Sequence, residues 1–328
     1  MPNQRKGLDL FFSIFYIAIN AGALISGIAT PYMRQNLVCF GSSCYFSAFM
    51  LCSATFVLAM GIFILGEKHY RIVPPRGEFL PYISACITFD AVIKWCKATP
   101  AARKEKKSFL DFAGDKFSSE MVRETALLGN LILLLTPIIF YWSVYDQGGN
   151  EWQYQYNMMR PSGIPVEAFG TMNTIFVLIL VPSMVYVYQM LEKRGIRFTI
   201  LQRMGLGFTL MTIAYGISGI MQIFVIRSFI PGVTTSLIDH EERCTDMSIC
   251  ISAWWLTPQW FLLSLGEALI SPEGLKLTYM NVGPLMKSQS LAIWLMMSGL
   301  GSLFTLVITK FTENLTYFND FTSDKALR

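Results

Sequence analysis

Residues 127–153 read LLGNLILLLTPIIFYWSVYDQGGNEWQ, and from Thr125 to Tyr145 no side chain carries a charge. A run of this length spans about 30 Å of hydrocarbon as a helix, which takes roughly 20 apolar residues. A strand is excluded, because a backbone in lipid must satisfy its own hydrogen bonds and barrel strands are far shorter. Asp146, Gln147, Gly148, Gly149 and Asn150 then follow where the span is expected to leave the membrane. Two readings of Asp146 stand at this point: a solvated helix end, or a group that works at a mouth. The aromatic residues at 141, 142, 145, 152, 154 and 156 fit an interfacial belt or the lining of that mouth.

The same test applied outward finds six more such runs, near 9–31, 45–66, 169–191, 205–229, 252–272 and 289–309. With 53% hydrophobic and 15% charged residues among 328, and a mean hydropathy of +0.45, the expected class is an all-α, polytopic membrane helical bundle. No cleavable signal peptide is expected, since the first apolar region is too long and lacks a small-residue cleavage site. Arg5 and Lys6, the cluster Lys94, Lys97, Arg103, Lys104, Lys106 and Lys107, and then Lys193, Arg194, Arg197 and Arg203 place alternate connections in the cytoplasm. The connections 32–44, 147–168 and 231–250, poorer in basic residues, face outward. The C-terminal tail, with its sequon Asn314-Leu315-Thr316, is then outward as well and open to glycosylation at Asn314. Cys39 with Cys44, and Cys244 with Cys250, lie in outward loops and either form short disulfides or remain free thiols. In the long inward connection, LPYISACITFDAVIKWCKA (80–98) spaces its apolar residues as an amphipathic helix on the membrane surface or against the inner mouth.

Ionisable groups inside a bilayer are costly and tend to mark function. Glu267, in WFLLSLGEALISPEGLKLTY, lies well inside the sixth span, where a carboxylate facing an aqueous cavity can bind an amine or a proton and exchange one for the other; the alternative is a protonated Glu bonded between helices. Ser271-Pro272-Glu273-Gly274 is expected to interrupt that helix, as broken helices line transporter cavities. Asn20, Asn130 and Asn173 are the uncharged polar candidates, and no Arg or Lys is expected inside the spans. His69 and His240 lie in connections without partners at ligand spacing, so neither a metal site nor a catalytic base is expected. No nucleophile motif, phosphate loop or nucleic-acid signature is present, and an enzyme is not expected. A seven-span receptor is opposed by the inward N-terminus and by the lack of Asp-Arg-Tyr or Asn-Pro-x-x-Tyr sequences.

Several ordered motifs carry a resemblance. Phe15-Tyr16-Ile17-Ala18-Ile19-Asn20-Ala21-Gly22, followed by Thr30-Pro31-Tyr32-Met33-Arg34, resembles an F-Y-x-x-I-N-x-G signature. Trp142 with Asp146-Gln147 and Trp152 resembles D-Q-x-x-x-x-W. Asn173 in TMNTIFVLILVP, Gly266-Glu267 with Ser271 and Gly274-Leu275, and Met286-Lys287-Ser288 with Trp294 complete the set. Together they are similar to spans five to eleven of the twelve in animal-type proton-coupled oligopeptide transporters of the major facilitator superfamily. The first-span E-x-x-E-R motif, the second-span histidine, the fourth-span lysine and the twelfth span have no counterpart, so the chain is expected to be partial.

The resemblance implies a division into 1–66, the last two spans of an N-terminal bundle; 67–125, a cytoplasmic linker with an amphipathic helix; and 126–328, an incomplete C-terminal bundle with an outward tail. It implies symport of di- and tripeptides with protons by alternating access, in a lipid bilayer expected to be the plasma membrane, with no cofactor beyond the proton and no nucleic acid. Glu267 would take the peptide amine and couple the proton. Tyr16, Asn20, Asn173 and Ser271 would bind substrate, Trp142 and Trp294 would line side-chain pockets, and Asp146 with Gln147 would form an extracellular gate. Transport of other small solutes such as nitrate, or a non-transporting sensor-like role, remains as an alternative on the same fold.

Overall fold

In the computed structural model the described residues are 2–39, 42–70, 80–100, 104, 109–160, 162–228, 235–238, 241–244 and 249–313. The Asn314 sequon, the C-terminal tail and part of the basic cluster lie outside them. The helices are α1 (Pro2–Asn36), α2 (Tyr45–Leu65), α3 (Leu80–Lys97), α4 (Ser119–Asn157), the single turn α5 (Val166–Phe169), α6 (Met172–Lys193), α7 (Ile200–Ser228), α8 (Thr257–Met280) and α9 (Lys287–Glu313). Two short antiparallel hairpins, β1 (Val38–Cys39) with β2 (Ser42–Ser43) and β3 (Thr235–Ile238) with β4 (Glu241–Cys244), sit in two of the connections read as outward. Cys39 is bonded to Cys44, and Cys244 to Cys250.

Among the described residues, six helical stretches are long and apolar enough to cross a membrane. The remaining expected span, sixth in chain order, is α8. At 24 residues it is about 36 Å long, also enough to cross. It is the more polar one because it runs through the centre of the bundle, where Gln259, Ser264, Glu267, Ser271, Glu273 and Thr278 are all buried.

Lipid tails are as apolar as leucine, so helices associate in a membrane through close packing of small residues and through polar contacts. Both occur here. At the crossing of α7 and α8, a Cβ on Gly266 would stand 3.0 Å from the Gly207 carbonyl oxygen, and one on Gly207 would stand 2.9 Å from the Gly266 carbonyl oxygen. At the crossing of α4 and α9, Gly301 lies against Trp142 and Ile139, and Thr305 Oγ1 donates to the Ser143 carbonyl at 2.9 Å. The main core joins α4, α7, α8 and α9. By contrast α2 buries only Ala48 and turns Phe56, Val57, Leu58, Ile62, Phe63 and Ile64 outward.

The amphipathic helix is α3, and it docks on the foot of α4. Ile87 and Ala91 bury against Leu110 and Ala113 of a 3-10 turn (Phe109–Ala113) and against Val122. Lys94 pairs with both Asp90 and Asp115 at 2.7 Å, and these carboxylates raise its pKa above the ordinary 10.5, Asp115 most of all.

Three expectations are corrected. Pro272 and Gly274 do not interrupt α8, which is continuous to Met280. Proline removes one backbone bond, to the Ala268 carbonyl, but the packed neighbours hold the helix through it. Gly274 serves packing: a Cβ there would lie 2.1 Å from the Trp294 ring. Asp146 is not at a helix end either, since α4 continues to Asn157 and buries Trp152, Gln155 and Tyr156. Finally, the interior is not free of cations, because Arg203 folds inward from the start of α7 to an ion pair with Glu273.

Candidate functional site

Glu267 is 5% exposed and lies where α1, α4, α6 and α8 converge. The glycine before it lets α7 pack against the back of α8, leaving the carboxylate on the opposite side. Three neutral donors reach it. Tyr16 of α1 donates its hydroxyl to Oε1, Tyr145 of α4 donates to Oε2 at 2.8 Å, and Asn173 Nδ2 of α6 donates to Oε2 at 2.9 Å. Asn173 is itself held on the far side by Ser264, whose hydroxyl donates to Oδ1 at 2.5 Å. Among the described residues no Lys or Arg pairs with Glu267.

A carboxylate buried among neutral donors is chemically unfinished. Hydrogen bonds to an ionised acceptor are roughly twice as strong as neutral ones, and stronger still from a cationic donor. The arrangement therefore suits reversible capture of an ammonium group or a proton.

The other expected residues divide. Tyr16, Asn173 and Glu267 are brought together. Asn20 is buried, but its Nδ2 donates to the Tyr16 carbonyl at 2.9 Å within α1, which steadies the turn carrying Tyr16 and does not reach Glu267. Ser271, one turn beyond Glu267, lies close to Tyr16 with its own hydroxyl buried. Trp142 packs edge-on against Tyr141 and Tyr145, and Trp294 is 3% exposed over Gly274, one turn further along α8 than Ile270. Asp146 points away from Glu267, accepting from Ser302 of α9; Gln147 beside it is half-buried.

Sequence reasoning passed over three features. Tyr145 looked like one aromatic of an interfacial belt, yet its hydroxyl is a direct partner of Glu267. Arg34, read as a lone basic residue of an outward connection, pairs with Glu167 of α5 at 2.8 Å and bonds Tyr45 of α2 at 3.3 Å, joining three elements at the end expected to face outward. Arg203 pairs with Glu273 and lies 3.6 Å over the Tyr188 ring, tying α6, α7 and α8 at the opposite end. The signal for Arg203 was Glu273 itself, a second carboxylate in the sixth span that was read as part of a break.

A family model described as "POT family" matches residues 1–323. The chain is 30% identical to mouse "Solute carrier family 15 member 2" over 218 residues, which is 65% of this chain and 30% of that protein. It is 35% identical to "Peptide transporter family 1" of Drosophila melanogaster over 224 residues, 66% of this chain and 30% of that one. The chain thus spans about a third of the length of the curated relatives it matches. Among solved structures, the crystal structure of the POT family transporter PepTSo superposes with a TM-score of 0.68 at 19% identity, covering 95% of this chain and 64% of that one. An auto-inhibited POT family peptide transporter superposes with 0.68 at 20% identity, covering 100% and 66%. These two establish a common fold. The relatives are transporters, in keeping with a chain that carries no enzyme motif.

Proposed function

This chain belongs to the POT family, and from that premise we propose that it forms a proton-coupled symporter of di- and tripeptides, or the C-terminal two-thirds of one, working by alternating access. The observation that carries the reading is the Glu267 carboxylate, held among the described residues by neutral donors and bonded across to α1 through Tyr16. A peptide amine or a proton arriving there competes with those donors. A proton that takes Oε1 weakens the bond that joins α1 to α8, so that occupancy and helix arrangement are coupled. Residues 1–66 supply the last two spans of one bundle, 67–125 a cytoplasmic linker, and 126–328 most of the other bundle; rocking between them exposes the site to each side in turn. Asn173 and Asn20 serve the peptide backbone, the first by contact and the second by steadying Tyr16, with Trp142 and Trp294 beside them. Asp146 and Gln147, together with Arg34–Glu167, close the outward end of a protein residing in the plasma membrane.

The test is uptake of a radiolabelled dipeptide into proteoliposomes under an inward proton gradient. Glu267→Gln is expected to abolish acid-stimulated uptake; uptake at the full rate would remove Glu267 from this role. Dipeptide binding without any gradient-driven flux would favour the sensor-like alternative.

A further inference from the structure

The two oxygens of Glu267 are held differently. Oε1 is bonded across to α1, whereas Oε2 belongs to a closed ring of three groups: Tyr145 donates to it at 2.8 Å, Asn173 Nδ2 donates to it at 2.9 Å, and the same Nδ2 donates to the Tyr145 oxygen at 2.9 Å. Asn173 Nδ2 thus serves two acceptors inside the ring, and Ser264 holds its Oδ1. While Tyr145 stays in place, part of the donor capacity of the Asn173 amide goes to the phenol.

We propose that the Tyr145 hydroxyl is a placeholder for a ligand ammonium at Glu267 Oε2, so that Tyr145 sets the affinity for ligands with a free amine. This rests on the reading of Glu267 as the amine site. An ammonium offers three charged donors where the phenol offers one neutral donor, so the exchange runs toward the amine. As the phenol leaves, the Asn173 N–H that had bonded it is freed as well and faces an acceptor on the ligand. One displacement therefore opens a charged contact and a neutral one together. Tyr145 is the group to yield rather than Tyr16, because Oε2 keeps a second donor in Asn173 when the phenol leaves, whereas Tyr16 is the one donor to Oε1 among the described residues. The Tyr145 ring is placed for this by its neighbours, stacked on Tyr141 at 6.0 Å and edge-on to Trp142 at 5.2 Å, which hold the ring while leaving its tip in the site.

The experiment is direct binding of a dipeptide with a free amine, and of its N-acetylated form, to this chain in lipid nanodiscs. Tyr145→Phe removes the competing donor and is expected to tighten binding of the free-amine dipeptide about tenfold, the worth of one hydrogen bond to a charged group, with no change for the acetylated form. Tyr188→Phe is the control: its hydroxyl, far along α6 from the site, makes no hydrogen bond among the described residues, so affinity for either ligand stays the same. Unchanged or weaker free-amine binding by a folded Tyr145→Phe chain overturns the proposal and leaves the amine reading standing. A wild-type chain that does not distinguish the free from the acetylated peptide overturns both. Should Tyr145→Phe fail to fold, a ring-fluorinated tyrosine at position 145 gives the answer without deleting the hydroxyl. Its fluorine resonance is expected to shift with the free-amine dipeptide and not with the acetylated one, and a static resonance refutes displacement.

Discussion

Two glutamates stand six residues apart on α8 in regions of opposite design. Among the described residues Glu267 meets hydroxyls and an amide, contributed by α1, α4 and α6. Glu273, 7% exposed, meets Arg203, whose guanidinium also covers Tyr188 and whose Nε donates to the Phe198 carbonyl at 3.0 Å. The second region is neutral as built, and its charges have nowhere else to go. The first is left one cation short. The contrast teaches that burial alone does not identify a working carboxylate in a membrane protein: what matters is whether the fold has already supplied the counter-charge.

The comparison can be broken most severely at its structural end. Glu273→Ala leaves the half-buried Arg203 without its counter-charge, and is expected to destabilise the fold by up to about 3 kcal/mol, read as a lowered melting temperature in detergent; the double change Arg203→Met with Glu273→Leu should recover most of that loss. Next in size is the crossing that presents Glu267. Gly266→Val puts a side chain 3.0 Å from the Gly207 carbonyl oxygen, and about 1–3 kcal/mol of stability should go with the displacement of α7. Smaller for stability is Glu267→Gln, where the amide keeps its shape and loses no ion pair: a change within about 1 kcal/mol is expected alongside loss of acid-driven uptake. A drop as large as that of Glu273→Ala would make the two sites alike and end the contrast. The smallest effect is expected at Lys94 on the surface of α3. Lys94→Ala should leave the melting temperature unchanged within error at physiological salt. Because the Lys94 pKa is raised, whatever the Asp115 and Asp90 contacts contribute is present throughout neutral pH and disappears only as pH climbs above the ordinary lysine value of 10.5.

Much of the fold was legible because the bilayer leaves few options. Long uncharged runs had to be helices, and the apolar spacing of 80–98 had to place one face on something, which proved to be Leu110, Ala113 and Val122. Glu267 was legible through rarity, a charge in the middle of a greasy run. Tyr145 was not, since a tyrosine among aromatic neighbours near a span end carries no mark of where its hydroxyl points. Nor was the continuity of α8. Pro272 and Gly274 usually signal a break, but here the surrounding helices hold the backbone together and Trp294 needs the space above Gly274.

Sequence by itself determined the class, the number of long helices and the presence of a carboxylate in the interior, because these follow from local hydropathy and from the cost of charge in hydrocarbon. Only the tertiary structure decided what that carboxylate meets. Its donors Tyr16, Tyr145 and Asn173 lie 251, 122 and 94 residues away along the chain, and the guanidinium that silences Glu273 lies 70 away. Local pattern says that a charge is buried, whereas the counter-charge that defines its role arrives from helices distant in sequence.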